Sequence, residues 1–252
     1  MAERLRQPPH SLSTVVLSID DLYLTHELQS DLAASHPTNP LIQHRGQPST
    51  HDLPLALSLF CDLRNAKETL IPSYDKSAHN GQGDRAPKDT WQVVNRKGQP
   101  AAKVVIFEGW CVGFRALSER ELKTRWESAM RQAGEGDYDG RLGLNNLEDI
   151  SFVNEALRKY DQLTDQLDGL IHLDAAHPNF VYDWREQQER MLREIRGSGM
   201  TDEQVRHFVD GYYPAYELFT DRLRAGIFDG VRGRQLRLVI GKDRGVKESV
   251  LM

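Results

Sequence analysis

Four short segments carry side chains whose types and spacing suit group-transfer chemistry. In Ser18-Ile19-Asp20-Asp21-Leu22-Tyr23, two adjacent carboxylates follow an apolar run. At the carboxyl end of a strand, where ligands bind in open parallel sheets, Asp20 or Asp21 can take a proton from a substrate hydroxyl and help hold Mg²⁺. A solvated Asp-Asp turn fits the same residues. In Val105-Ile106-Phe107-Glu108-Gly109-Trp110, a second apolar run delivers Glu108, then a glycine that lets the backbone turn sharply. An apolar strand ending in an acid is one way to place a carboxylate near Mg²⁺ in phosphoryl transfer. Such a pair arises often by chance, and it gains weight here by repeating the Asp20 pattern on another strand.

The third segment runs from Pro72 to Arg85. It packs Tyr74, Asp75, Lys76, His79 and Arg85 into one glycine-containing stretch, a set able to grip a small polyol acid or a phosphate. A hydrophilic surface loop has the same composition. The fourth, Val181 to Arg196, mixes Arg185, Arg190, Arg193 and Arg196 with Glu186, Glu189 and Glu194. Most of these charges fit i,i+3 or i,i+4 pairing on a helix surface. One or two of the arginines can instead close over transferring phosphates.

Several elements must position these groups. The runs 15–19, 104–107, 170–173 and 236–240 predict strands, the first two of them continuous and β-branched as in parallel strands buried on both faces. Leu53, Ala56, Leu57, Phe60 and Leu63 follow helical spacing, and Ser49 with Asp52 resembles a capping box at the start of that helix. Thr201 with Gln204 forms a second box, with Met200 and Val205 placed as a hydrophobic staple and Asp202 and Glu203 in the first turn. The stripe Val205, Phe208, Val209, Tyr212, Tyr213, Tyr216, Phe219 predicts a core-facing helix, kinked or broken at Pro214. Residues 80–102 read as a long polar loop with a hairpin near 91–94, and residues 134–143 as a second polar loop. Strands alternating with helices predict an α/β fold, a mostly parallel sheet with helices on both faces.

Composition narrows the class. The chain has 252 residues, 32 Lys plus Arg against 37 Asp plus Glu, and a formal net charge of −5. It therefore lacks the bulk basic charge of a non-specific nucleic-acid binder. Hydrophobic residues make up 39% and charged residues 27%, a globular balance. No apolar run approaches a membrane span, and Met1 to His10 is charged and contains Pro8 and Pro9. Cys61 and Cys111 have neither metal-type nor redox-type spacing. The expectation is a cytoplasmic protein with no nucleic-acid or membrane partner.

Taken together, these segments resemble the glycerate 3-kinase family. The resemblance is carried by Ser-Ile-Asp-Asp-Leu-Tyr-Leu-Thr at 18–25, Arg45-Gly46, His51-Asp52, Tyr-Asp-Lys-Ser at 74–77 and Gly-Asp-Arg at 83–85. Phe-Glu-Gly-Trp at 107–110, Tyr-Asp-Trp-Arg at 182–185, Gln188-Glu189, the stretch 199–205 and Tyr-Tyr-Pro-Ala-Tyr at 212–216 extend it over nearly the whole chain. It implies a P-loop kinase fold, of the group that includes uridine kinase, phosphoribulokinase and pantothenate kinase. It also implies one kinase-like domain over 1–252, with a lid helix near 182–197 and a closing helix and strand within 201–241. The implied activity is ATP- and Mg²⁺-dependent phosphorylation of a small hydroxylated metabolite such as D-glycerate. Asp20 takes the role of base, with Asp21 its neighbour and second choice, Glu108 that of the Mg²⁺-side acid, and Arg185 that of a lid arginine. Tyr74, Asp75, Lys76 and Arg85 form the acceptor loop, with Tyr23, Arg45 and Asp52 beside it.

The sequence departs from that pattern at one place. The phosphate-cradling G-x-x-x-x-G-K-[ST] has no match in residues 1–252, where Gly241-Lys242 is followed by Asp243. Ala2 to Arg6 reads as the end of the helix that such a loop opens, so the expectation is that the first strand and the loop precede Met1. The competing expectation is a non-catalytic form that does not bind ATP.

Overall fold

The computed structural model describes residues 1–136, 138–196 and 199–252, with nothing of the Arg196 side chain. In chain order the elements are α1 (Ala2–Arg6), β1 (Thr14–Ser18), α2 (His26–Ser35), α3 (Leu53–Arg64), β2 (Thr69–Ile71), β3 (Tyr74–Asp75), β4 (Asp84–Arg85), β5 (Gln92–Val94) and β6 (Val104–Glu108). They continue with α4 (Glu119–Glu135), α5 (Leu147–Arg158), α6 (Asp161–Thr164), β7 (Leu170–Ala175), α7 (Phe180–Arg196), α8 (Asp202–Asp210), α9 (Tyr213–Ala225), β8 (Gln235–Ile240) and β9 (Val246–Leu251). The chain forms two compact units, one of residues 1–112 and 156–166, the other of residues 113–155 and 167–252.

The first unit is built on β1 and β6, paired in parallel from Thr14↔Val104 to Ser18↔Glu108. Val15 and Leu17 turn inward onto Ala56, Leu59, Phe60 and Leu63 of α3, with Ile71, Val94 and Leu163 completing the core. Burial at ~25 cal/mol per Å² of apolar surface makes this cluster the main support of the unit. Both strands are covered on one side only. Val16 and Val105 stand 43% and 37% exposed, so burial on both faces does not hold for them: α3 packs on the Val15–Leu17 side.

Two local expectations also change. The cap of α3 is Asp52, whose carboxylate accepts from Leu55 N–H, and Ser49 lies outside the helix with a positive φ. Residues 92–94 pair with 69–71 rather than with a neighbouring segment, so the distant partner, not a local turn, makes the strand. The five residues of α1 are helical, as read.

The second unit is a sheet ordered β7-β8-β9, parallel between β7 and β8 and antiparallel between β8 and β9. Helices α4 and α8 begin with complete capping boxes, Ser118 with Glu121 and Thr201 with Gln204. The aromatic stripe is split: α8 stops before Gly211, and Pro214 lies in the first turn of α9, where a missing N–H costs nothing. Val205, Val209 and Tyr213 pack against Val181, Tyr182, Phe208 and Tyr216, the core-facing role expected of them. A helix, α7, covers most of the stretch 182–197, and Gly197 at its expected end lies outside the described residues, as does Asp137 in the 134–143 loop. That loop is anchored: Glu217 accepts from the Tyr138 hydroxyl and from the backbone N–H groups of Arg141 and Leu142. Asn154 serves both backbone groups of Leu117, at 2.8 and 3.0 Å.

The centre of this unit is ionic. Asp174 on β7 is 2% exposed, and it accepts from Arg224 at 2.9 Å through both oxygens and from Arg237 at 2.7 Å. Burial works to raise its carboxyl, but the two guanidiniums hold it below the usual aspartate range. Removing one partner of a buried ion pair strands the other charges, so Asp174→Asn is expected to cost about 3 kcal/mol or more at pH 7. A depressed folded pKa contributes stability above the unfolded value near ~3.9 and loses it as pH falls through the folded value. Urea unfolding of both chains from pH 7 downward should therefore show the gap closing in acid; a gap independent of pH would deny Asp174 its charge.

Candidate active site

Nearly all the residues singled out for chemistry lie in the first unit. β1 ends at Ser18, and the chain turns through a short 3₁₀ segment, Ile19–Leu22, in which the Ser18 hydroxyl accepts from the Asp20 N–H. That turn sends the two aspartates to different tasks. Asp20 meets the Lys76 ammonium at 2.5 Å. Asp21 accepts the Tyr74 N–H at 3.2 Å, fixing the start of β3. Burial raises the Asp21 carboxyl above its ordinary range, outweighing the hydrogen bonds from Tyr74 and Ser18. Glu108 stands opposite Ser18 in register, exposed at the end of β6. Gly109, which follows it, has no room for a side chain: a Cβ there would lie 2.2 Å from Ile19 Cγ2.

The loop 74–85 folds back on itself as the β3–β4 pair, Tyr74 opposite Arg85 and Asp75 opposite Asp84. Arg85 donates to Asp52 Oδ2 and to the Tyr23 carbonyl, both at 2.9 Å, and its Nε is buried without a hydrogen-bond partner. Asp52 thus holds the helix cap with one oxygen and Arg85 with the other. Tyr74 packs edge-on against Tyr23 at 5.3 Å, under the Arg45 guanidinium at 5.6 Å. Arg45 donates to the Gly81 and Gln82 carbonyls, so it organises the loop. Asp75 is turned outward, its carboxyl held low by the Ser77 hydroxyl and N–H. Asp84 accepts from the His26 N–H at 3.0 Å and sits 3.1 Å from His79 Nε2. Burial opposes its charge, yet these hydrogen bonds and that of its neighbour Arg85 keep its carboxyl low.

Behind Tyr23 lies a group that residue spacing did not single out. His51 is stacked on the Tyr23 ring at 4.5 Å, and its Nδ1 lies 2.8 Å from the Tyr160 hydroxyl, which also accepts from Ser49 N–H. Burial pushes the imidazole down to about 3 and raises both the Tyr160 phenol and the Cys111 thiol, with the Asp20 charge acting on His51 and Cys111. Tyr160 is 109 residues from His51; no spacing rule joins them.

Arg185 belongs to the second unit. Its guanidinium is 3.1 Å from Gln188 Oε1, 3.6 Å from Glu189 and over the Phe208 ring. Among the described residues, no three or more His, Cys, Asp or Glu side chains gather as a self-sufficient metal site. Mg²⁺ does not need one, because it takes one or two carboxylates and completes its shell with water and phosphate oxygens. Exposed Glu108, with Asp20 at the end of the paired strand, suits that demand.

A parallel strand pair with acids at its carboxyl end, beside a loop that brings Lys76 to Asp20, is an α/β arrangement suited to group transfer. No family model matches the sequence. An uncharacterized kinase of Schizosaccharomyces pombe, mug58, is 39% identical over 214 residues, covering 84% of this chain and 72% of that one. The chloroplastic D-glycerate 3-kinase of Arabidopsis thaliana is 34% identical over 217 residues, but this chain spans only 42% of its length. The structure of D-glycerate 3-kinase from Cryptococcus neoformans superposes with a TM-score of 0.90 at 35% identity, over 100% of this chain and 83% of that one. The chain belongs to the glycerate 3-kinase family. Among its described residues no helix is long and apolar enough to cross a membrane.

The 74–85 hairpin depends on Gly83, at φ +83°, where a Cβ would fall 2.5 Å from Tyr74 Cε1 and 2.9 Å from Arg45 Nη1. Gly83→Ala combines backbone strain with a clash. Hydrogen exchange should speed up at the Gly83 and Ala86 amides, which bond Ala78 and Ser73 carbonyls, while amides of β7 and β8 keep their protection. Unchanged exchange at both loop amides would show that the hairpin does not rely on this glycine.

Proposed function

We propose that this chain serves ATP-dependent phosphorylation of a hydroxyl on a small anionic metabolite, with D-glycerate as the acceptor. The observation that carries the reading is the Asp20–Lys76 contact at the carboxyl end of β1. It sets a proton acceptor beside a cation on a loop rich in hydrogen-bonding groups. The Lys76 and Asp20 side chains are 58% and 29% exposed, and an exposed ion pair is worth only ~0.2–1 kcal/mol. A carboxylate on the acceptor can therefore take over Lys76 and release Asp20. Asp20 then accepts the proton of the attacking hydroxyl, and Arg85 and Tyr74 border the acceptor. Glu108 and Asp20 are the residues that would hold Mg²⁺, which supplies charge neutralisation on the phosphates when bound. Kinase relatives support the use of ATP.

A second reading, acceptor binding without phosphoryl transfer, is favoured by one observation: residues 1–252 contain no G-x-x-x-x-G-K-[ST], and positioning of the phosphates supplies much of the rate in such reactions. Calorimetry with ATP·Mg²⁺ and a coupled ADP assay with D-glycerate separate the two. Turnover establishes the first reading; D-glycerate binding with neither ATP binding nor turnover establishes the second.

Where turnover is present, Asp20→Asn should lower kcat by ~10²-fold or more, the scale of a lost general base, and leave nucleotide affinity nearly unchanged. Loss of ATP affinity with kcat preserved would remove Asp20 from the base role. Lys76→Ala should raise the acceptor constant, KM or Kd, ~10-fold, with less effect on ATP. Equal effects on both substrates, or none, would return Lys76 to ordinary solvated surface.

A further inference from the structure

His51 holds a buried ring nitrogen with no hydrogen-bond partner. The residue is 5% exposed, and Nε2 is closed to solvent and unpaired. The other ring nitrogen, Nδ1, lies 2.8 Å from the Tyr160 hydroxyl, which also accepts from Ser49 N–H. A hydroxyl has one proton and two lone pairs, so it can donate to Nδ1 or accept from it. Either way Nε2, carrying the ring's proton or its lone pair, is left unpaired, and folded proteins retain few such buried groups.

One face of the ring is stacked on Tyr23, and the backbone of 50–52 is tied to that of 22–24 by Leu24 N–H to Thr50 and Asp52 N–H to Leu22. Tyr160 closes one side of this arrangement, and the other side borders the proposed acceptor site. Tyr23 touches Tyr74, the Tyr23 carbonyl receives Arg85, and Asp52 is the next residue. The field of Asp20 reaches the imidazole.

We propose that His51 is a specificity residue of the acceptor site, its Nε2 hydrogen-bonded to the hydroxyl carbon-adjacent to the one that is phosphorylated, the 2-hydroxyl of D-glycerate. This rests on the acceptor reading above. A neutral imidazole nitrogen within reach of the Asp20 charge suits a hydroxyl, which can accept or donate, whereas the acceptor's carboxylate is better matched by the exposed Lys76 ammonium. The hydroxyl reaches Nε2 by displacing the side chains that now close it from water. A site built around such a nitrogen disfavours an acceptor without that hydroxyl, since Nε2 stays unpaired.

The test pairs two ligands with two variants. Calorimetry on the 252-residue chain compares D-glycerate with 3-hydroxypropanoate, which keeps the carboxylate and terminal hydroxyl and lacks the 2-hydroxyl. The unaltered chain should prefer D-glycerate by about tenfold or more, the scale of one unreplaced hydrogen bond. His51→Phe, which keeps a ring for Tyr23 and removes the nitrogen, should reduce the preference to about threefold or less, and His51→Gln, whose amide offers both a donor and an acceptor, should restore most of it. Long-range ¹H–¹⁵N spectra of the unaltered chain give a second readout if a variant fails to fold: D-glycerate should shift Nε2 of His51, and 3-hydroxypropanoate should shift it less. Equal affinity for the two ligands, a ratio unchanged in His51→Phe, or an Nε2 signal indifferent to D-glycerate overturns the inference and leaves Nε2 to packing or a buried water. If D-glycerate binds through Lys76 while the ratio is flat, this inference alone fails. If it does not bind the unaltered chain at all, the acceptor reading fails and takes this inference with it.

Discussion

The Arg85 guanidinium is the tie on which the first unit's chemistry depends. One of its nitrogens reaches both Asp52, the cap of α3, and the carbonyl of Tyr23, just past the turn that follows β1. Three stretches distant in sequence thereby share one anchor. The side chains of the pair are 15% and 21% exposed, so water screens the attraction less than at an open surface, and a planar guanidinium imposes direction that an ammonium would not. Because Arg85 pairs with Tyr74 across β3–β4, fixing Arg85 also fixes the strand that leads into Lys76.

Two ion pairs a few residues apart therefore do different work. Arg85–Asp52 is enclosed and hydrogen-bonded at a helix cap, and breaking it would leave charge stranded. Lys76–Asp20 is exposed and held by a single contact, so it exchanges readily for another anion. A rigid frame beside an exchangeable charge is what an acceptor site needs, since positioning requires stiffness and binding requires that something give way. Tyr23 joins the frame to the imidazole behind it, with Tyr74 on one side and His51 on the other.

The second unit has an ionic centre of the opposite kind. Asp174 is enclosed and served by two arginines from α9 and β8, and Glu217 and Asp210 hold the 138–142 stretch through Tyr138, Tyr182 and Arg141. Burial together with those carboxylates raises the Tyr138 and Tyr182 phenols, which stay protonated as donors. These groups carry structure, which is why strongly shifted titrations here do not mark catalysis.

Local sequence determined what depends on near neighbours. The apolar runs around Val15, Val104, Leu170 and Leu236 became β1, β6, β7 and β8, the Thr201–Gln204 box opened α8, and Pro214 broke the aromatic stripe, because strand burial, capping and proline geometry all act within a few residues. The glycerate 3-kinase resemblance was legible because its motifs are contiguous. Helix α4 was not legible, its apolar positions being sparse among charges, whereas α5 carries a helical stripe of Leu147, Ile150, Val153 and Leu157 that the sequence reading passed over. Tertiary structure alone decided which of two adjacent aspartates faces Lys76, that Asp52 rather than Ser49 caps α3, that Gln92–Val94 finds its partner at Thr69–Ile71, and that His51 meets Tyr160. In each of these the partner lies far along the chain or the alternatives are locally equivalent, so only the closed three-dimensional packing breaks the tie.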